Sequence, residues 1–220
     1  MLKRTCQFVN DTKRRRVLYL TLARSHFNHC STVWRPTLIN NKTLVEKFEN
    51  FQKKCLKWIL CEEELSYQSH HIYTRKCRQA NVLPLQYIFN INDMVIFHQI
   101  VYKLIPLSMP EYLTIYDGTS GLRATHLDEL SYVSHIQHNT ESTYNLNKSF
   151  FFRSHTIWNS LPLEIRSEKN HNKFKTKLET HYWKIALQDT GDSDEDSLSS
   201  SEDFNWGEAV DIVAKICFSF

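Results

Sequence analysis

Clusters of lysine and arginine near the start of the chain are the residues whose chemistry the sequence indicates most directly. Four cations stand in a row at residues 13–16, and others recur in short groups as far as residue 78. Clustered cations displace the counterions of a phosphate backbone, which predicts non-specific binding of RNA or DNA. Tyr73, two residues before Arg75, would add stacking on a base. The candidate nucleic-acid-binding residues are Lys13, Arg14, Arg15, Arg16, Arg24, Lys53, Lys54, Lys57, Arg75, Lys76 and Arg78.

The same cations also have interpretations that involve no nucleic acid. Residues 13–16 fit the solvated start of a helix, and they fit a nuclear localisation signal. Lys53, Lys54 and Lys57 lie on the solvent side of a predicted amphipathic helix, where lysine is common whether or not a ligand binds. The spacing alone leaves these interpretations open.

No set of residues has the sequence spacing that is typical of a catalytic site or a metal site. Three cysteines and two histidines between residues 55 and 77 have the atom types of a zinc site, but they lack the closely spaced pair of thiolates that holds one ion. No serine, cysteine or threonine can be matched with a base and an orienting group, and there is no glycine-rich phosphate loop. We therefore predict no catalytic residue, metal, cofactor or small-molecule substrate, and we expect free thiols.

Charge is distributed unevenly along the chain. Residues 1–188 contain 26 Lys and Arg against 15 Asp and Glu, a net charge of +11, whereas residues 189–220 contain one against nine, a net charge of −8. The basic part favours a polyanionic partner. The acidic, serine-rich part cannot bury enough apolar surface to offset its chain entropy, so we predict a mostly disordered tail over residues 188–220.

The location of the protein is predicted from segments that the sequence lacks. No apolar run is long enough to span a membrane, and the first residues do not form the apolar stretch of a secretory signal. We expect an intracellular protein, nuclear or cytoplasmic, that makes no contact with a membrane. Its oligomeric state is left open.

Apolar residues recur at steps of three and four along most of the first 187 residues, which predicts a mainly α protein. The predicted helices cover residues 13–34, ended by Pro36, then residues from an N-cap at Thr43 to Ile59, then residues 67–80, 84–104 and 174–185. Residues 114–147 have little periodicity and predict a long irregular segment or a pair of short strands. The expected architecture is one basic helical domain over residues 1–187, a helical bundle with this insertion.

Four segments in order resemble the C-terminal region of LINE-type non-LTR retrotransposon reverse transcriptases. The first is residues 17–36, which read Val-Leu-Tyr-Leu-Thr-Leu-Ala-Arg-Ser-His-Phe-Asn-His-Cys-Ser-Thr-Val-Trp-Arg-Pro. The others are the helix at residues 44–59, a Leu-Pro-Leu at 83–85 followed by Asn92-Asp93, and Arg153 with the Trp-Asn-Ser-Leu-Pro at 158–162 ahead of a Phe-Lys and Leu helix. The resemblance covers roughly residues 8–186.

The resemblance implies a thumb-like helical region that lies after the polymerase palm and grips a template-primer duplex. The family's polymerase chemistry uses paired aspartates to hold two metal ions, and this chain contains no Asp-Asp pair. The palm and the endonuclease of the family have no counterpart here, so the resemblance implies a fragment of a larger polyprotein. The acidic tail departs from the family pattern.

These observations lead to one functional hypothesis and two alternatives. The hypothesis is a non-catalytic remnant of a retrotransposon reverse transcriptase that binds nucleic acid, at most non-specifically, through its basic helical part. The first alternative is a co-opted protein-interaction module that uses the acidic tail. The second is an unselected transposon-derived reading frame with no function.

Overall fold

The chain is mainly helical in the part that the computed structural model describes, which is residues 6, 8–39, 41–62, 70–116, 127–135 and 149–188. These ranges also contain one small antiparallel sheet of two strands. The predicted mainly α fold with a short-strand insertion is therefore confirmed. The predicted disordered tail lies outside the described residues, apart from Gln188.

The helices and strands are numbered in chain order. The helices are α1 (Thr12–Leu18), α2 (Ser25–Asn28), α3 (Ser31–Ile39), α4 (Lys42–Leu60), α5 (His70–Gln79), α6 (Leu85–Val101), α7 (Phe150–Ser160), α8 (Leu163–Arg166) and α9 (His171–Gln188), and the strands are β1 (Leu113–Ile115) and β2 (Tyr132–Ser134). A π-helical turn, Tyr19–Arg24, connects α1 to α2.

The chain forms two compact units. The first unit contains Met1–Phe27, Phe51–Val82 and the residues from Ala186 onward, and the second unit contains Asn28–Asn50 and Leu83–Ile185. The sequence predicted one domain over residues 1–187 and did not anticipate this division. Each unit has its own buried side chains, as described below.

The predicted helix over residues 13–34 is interrupted at residues 29 and 30, between α2 and α3. The helical backbone ends at Asn28, and Cys30 adopts a left-handed conformation with a φ of 50°. A residue in this conformation cannot continue a right-handed helix. The carbonyl of His29 accepts a hydrogen bond of 2.8 Å from the indole nitrogen of Trp34. This bond satisfies an acceptor that the end of the helix would otherwise leave unpaired.

The prediction that Pro36 ends a helix is also wrong, because α3 continues past it to Ile39. A proline within a helix has no amide hydrogen to donate to the carbonyl four residues earlier, which here belongs to Thr32. The Arg153 guanidinium donates a hydrogen bond of 3.2 Å to that carbonyl. A side chain from α7 thus supplies the donor that the proline lacks.

The helix α4 has its N-cap two residues earlier than predicted, and a different residue forms it. The side chain of Asn41 accepts a hydrogen bond of 3.1 Å from the amide of Leu44. Asparagine is among the best N-cap residues because its side-chain oxygen satisfies an amide in the first turn. Asn41 therefore takes the role that the sequence assigned to Thr43.

The core of the first unit is built from the π-helical turn, the second half of α4 and the helix α5. The π-helical turn buries Tyr19, which is fully shielded from solvent. The other members of this cluster are Ala23, Cys55, Leu56, Ile59, Tyr73, Cys77, Ala80 and Val82. Burial of such side chains stabilises the unit by about 25 cal/mol for each Å² of apolar surface removed from water.

The second unit contains a buried ion pair network centred on Asp93, a residue of α6 that is 0% exposed. The Arg153 guanidinium of α7 donates hydrogen bonds of 2.7 Å and 3.2 Å to the two carboxylate oxygens. Arg35 of α3 donates a third bond of 2.5 Å and a bond of 2.6 Å to the side chain of Asn90. One carboxylate thus ties three helices of the unit together.

The two-stranded sheet is fixed to α7 by side-chain hydrogen bonds. β1 and β2 pair antiparallel, with Thr114 opposite Val133. Asn159 of α7 accepts a bond of 3.0 Å from the amide of Tyr132 and donates one of 2.8 Å to the carbonyl of the same residue. The indole nitrogen of Trp158 donates a bond of 2.9 Å to the carbonyl of Leu130. These bonds satisfy backbone groups that the short sheet leaves unpaired.

His98 gives the second unit a predictable dependence on pH. The ring is fully buried and stacks on Phe174 with 4.1 Å between ring centroids, and Nε2 lies 2.8 Å from the carbonyl oxygen of Glu168. Burial is the main cause that lowers the pKa of His98, and the neighbouring His171 lowers it further, whereas the Glu168 carbonyl opposes them. The folded protein therefore keeps this imidazole neutral.

We expect the free energy of unfolding to fall as the pH drops below about 6.5, because the unfolded chain then binds a proton that the folded chain takes up only at lower pH. The contribution of His98 is complete above that pH. The measurement is the urea midpoint of unfolding on both sides of it, for the full chain and for His98→Gln. The His98→Gln variant should lose part of the pH dependence and the exposed-site control His26→Gln should keep it. Equal pH dependence in the wild type and His98→Gln would contradict this account.

Candidate nucleic-acid interface

All eleven predicted nucleic-acid-binding residues lie in the first unit. They are the only lysines and arginines in the described part of that unit, where Asp11 and Glu62 are the only acidic residues, so its described part carries a net charge of +9. The described part of the second unit has eleven lysines and arginines against nine acidic residues, a net charge of +2. The excess of positive charge is therefore concentrated in the first unit.

Five of the eleven cations are exposed to solvent. In the first turn of α1, the Asp11 side chain accepts hydrogen bonds from the amides of Lys13 and Arg14, which fixes the start of the helix while the Arg14 side chain remains 70% exposed. Arg75 and Arg78 are three residues apart on α5, a spacing that puts them on one helical face. The exposed cations are Lys13, Arg14, Lys54, Arg75 and Arg78.

Arg15 stabilises the first unit from within. Its guanidinium donates hydrogen bonds of 2.7 Å to the carbonyl of Trp58 and to the thiol sulfur of Cys61. It also donates to the carbonyl of Val9 and lies 5.5 Å from the centre of the Trp58 ring. Since these contacts occupy most of its donors, we assign Arg15 to positioning rather than to phosphate binding.

Four further cations are half-buried. Arg16 donates a hydrogen bond of 2.9 Å to the carbonyl of Asn81, and its pKa is lowered, mainly by burial and also by Arg24. Lys76 forms an ion pair with Glu62. Lys53 lies 5.6 Å from the centre of the Tyr73 ring. Lys57 is also half-buried. These four therefore contribute to the positive field with their head groups partly withdrawn from solvent.

Arg24 and Tyr73 were predicted to contact nucleic acid, but both side chains are buried. Arg24 is only 3% exposed, and burial lowers its pKa although Tyr19, Cys77 and Tyr73 act in the opposite direction. We therefore do not include Arg24 in the interface. Tyr73 is also buried, so its ring supports Lys53 and is not presented for stacking on a base.

Replacing Arg24 tests its exclusion from the interface. We expect Arg24→Met to leave the affinity of the full chain for nucleic acid within about twofold, because the guanidinium does not reach solvent, whereas Arg14→Met, on the exposed first turn of α1, should lower the affinity about threefold by removing one phosphate contact. The measurement is fluorescence anisotropy, with circular dichroism to confirm folding. A folded Arg24→Met that binds more weakly than Arg14→Met would return Arg24 to the interface.

The cysteines of the first unit do not assemble a metal site in the described residues. Cys55 and Cys77 are buried, and burial is the main cause that raises their pKa values, to about 11 and about 12. The buried thiols therefore stay protonated at neutral pH and are poor metal ligands. Across the described part of the chain, no three histidine, cysteine or acidic side chains lie close enough to hold one ion.

The sequence analysis did not identify Phe8 as a candidate binding residue. Phe8 is 86% exposed, the largest exposed fraction of any large apolar side chain in the described ranges. It lies in the turn before α1, close in sequence to the exposed Lys13 and Arg14. No periodicity marks a single phenylalanine in a turn, so only the structure could identify it.

The residues that carry the family resemblance in the second unit have structural roles. Asp93 and Arg153 form the buried ion pair, while Trp158 and Asn159 bond the sheet. Pro162 precedes α8, and its carbonyl accepts a hydrogen bond of 3.0 Å from the amide of Ile165. These residues hold the unit together.

The chain has no match among protein-family models, curated proteins or solved structures. Within the described ranges, every helix is too short or too polar to cross a membrane.

Proposed function

We propose that this protein is a non-catalytic nucleic-acid-binding protein that holds RNA or DNA without sequence preference through the exposed cations of its first unit. The observation that carries this proposal is the concentration of charge, +9 in the described part of that unit against +2 in the other. Such a field attracts a polyanion before contact, and the exposed head groups can then replace the counterions of its phosphates.

The distribution of the exposed cations supports a non-specific mode. Sequence is read by side chains that make paired hydrogen bonds to base edges, on an element that enters a groove. The exposed cations of the first unit are spread over α1, α4 and α5. An arrangement on three helices is suited to following a phosphate backbone, which has the same charge for every sequence.

The proposed origin is a retrotransposon reverse transcriptase. It rests on the order of the four resembling segments. The polymerases of the resembled family hold two metal ions on paired aspartates, and this sequence has no Asp-Asp pair, so the proposal includes no nucleotide transfer. The purified chain should therefore bind a primed template and leave the primer unextended.

A binding titration tests the proposal. The full chain is titrated into two fluorescein-labelled RNA/DNA hybrids of unrelated sequence at low salt, and anisotropy is recorded. We expect binding to both, with dissociation constants within about threefold of each other, because phosphate contacts dominate. Absence of binding would refute nucleic-acid binding. A preference of more than about tenfold for one sequence would refute the non-specific mode.

A further inference from the structure

Phe8 presents an aromatic ring to solvent at a fixed position. The ring is 86% exposed, and no ring contact to it is found within the described residues. An exposed phenylalanine ring leaves a large apolar surface in contact with water. That surface does not stabilise the folded chain unless a partner covers it. Its position on the basic unit raises the question of what partner the ring fits.

The turn that carries Phe8 is tied to the body of the first unit on both sides. The amide of Val9 donates a hydrogen bond of 3.2 Å to the carbonyl of Cys6, whose side chain is buried. Arg15 then donates to the carbonyl of Val9 and, at 3.4 Å, to the side chain of Asn10. The ring is therefore held out from a turn whose backbone is anchored.

Arg15 connects this turn to the helix α4. The same guanidinium donates to the carbonyl of Trp58 and lies over the Trp58 ring. One side chain thus positions the Phe8 turn, the start of α1 and the end of α4 together. This arrangement explains why Arg15 is used inside the fold while Lys13 and Arg14 before it are exposed.

Two exposed cations follow Phe8 at short range. Lys13 and Arg14 lie in the first turn of α1, which Asp11 caps. Lys13 lies five positions after Phe8, so their backbones lie within about 18 Å of each other even if the segment were fully extended. This distance corresponds to a few nucleotides of a single strand.

We propose that Phe8 stacks on an unpaired base of single-stranded RNA or DNA while Lys13 and Arg14 contact the neighbouring phosphates. An exposed aromatic ring beside cations is the combination that binds single strands, because every unpaired base has a free π face. The bases of a duplex are covered by their neighbours in the stack, so a duplex would use the cations alone. This inference rests on the proposed function and specifies the form of nucleic acid that the site prefers.

The test compares a single-stranded oligonucleotide with a duplex of the same length, using the full chain and anisotropy at low salt. We expect Phe8→Ala to weaken binding of the single strand by about tenfold, the loss of one stacked base, and to change duplex binding by less than about twofold. Phe8→Trp should restore single-strand binding. Phe8→Leu, which is apolar but not aromatic, should not. The control Val33→Ala removes an exposed apolar side chain from the second unit.

A second readout follows the stacking itself. In Phe8→Trp, addition of the single strand should quench tryptophan fluorescence more than it does in the wild type, and addition of the duplex should not. Full affinity of Phe8→Ala or Phe8→Leu for the single strand, or an equal loss on the duplex, would overturn the stacking proposal alone. Failure of the wild type to bind either form would overturn the proposed function and this inference with it.

Discussion

Replacing Lys13, Arg14, Lys54, Arg75 and Arg78 together with glutamine is expected to weaken binding of duplex nucleic acid by at least about 100-fold at roughly 50 mM salt. Each of these side chains is exposed, so its loss removes a possible phosphate contact and leaves the core unchanged. Glutamine keeps a polar side chain, although a shorter one, and removes the charge. The measurement is a titration of the full chain, with the urea midpoint recorded to show that folding is preserved.

The matched control makes the same change of charge in the second unit. Lys42, Lys47, Lys173, Lys175 and Lys184 are also exposed, and their replacement by glutamine lowers the net charge of the chain by the same amount. We expect this control to retain binding within about threefold, because long-range attraction alone supplies only part of the affinity. Equal losses in both variants would mean that total charge, and not the surface of the first unit, determines binding.

Asp93→Asn is expected to lower the free energy of unfolding of the second unit by about 3–5 kcal/mol, because removal of the charge leaves two arginines without a buried counterion. Asp93 is 0% exposed, and the side chains of Arg35 and Arg153 are only 12% and 8% exposed. Water therefore cannot take the place of the carboxylate. The measurement is urea unfolding of the full chain, followed by circular dichroism.

Two further variants separate charge from packing in the Asp93 network. The triple variant Asp93→Leu, Arg35→Met, Arg153→Met removes all three charges and should recover most of the lost stability, since apolar side chains often replace a buried ion pair without loss. Glu179→Gln, which removes a carboxylate from an exposed pair with Lys175, should cost less than about 0.5 kcal/mol. A loss below about 1 kcal/mol for Asp93→Asn would show that Asp93 does not organise the unit.

The periodicity of apolar residues predicted the helices well where packing follows a regular helical face. The helix α6 begins directly after Pro84, as predicted, and ends at Val101, three residues before the predicted end. The helix α5 begins at His70 and ends at Gln79, inside the predicted residues 67–80. In such segments, local sequence and tertiary packing favour the same conformation.

The burial of Arg24 could not be predicted from the sequence, because it depends on a local departure from the α-helical period. The π-helical turn Tyr19–Arg24 has more residues per turn than an α-helix, so it rotates the residues that follow. Tyr19 and Arg24 are buried as a result, whereas Leu20 is only half-buried. A period of 3.6 residues placed Arg24 on the outside.

The roles of the individual cations could likewise not be predicted from the sequence. The run at residues 13–16 is uniform in charge, but Arg15 bonds to Trp58, some 43 residues away along the chain, and Arg16 bonds to Asn81. The same holds for Pro36, whose tolerance within α3 depends on a hydrogen bond from the distant Arg153. Long-range contacts of this kind leave no local signal.

The dependence of binding on salt tests the central claim most directly. The full chain is titrated into duplex RNA/DNA at several salt concentrations, and the logarithm of the association constant is plotted against the logarithm of the salt concentration. If the five exposed cations of the first unit contact phosphates, the plot is linear with a slope of about −4.5, and the five-glutamine variant has a slope near zero. A wild-type slope near zero, or an unchanged slope in the variant, would contradict the account.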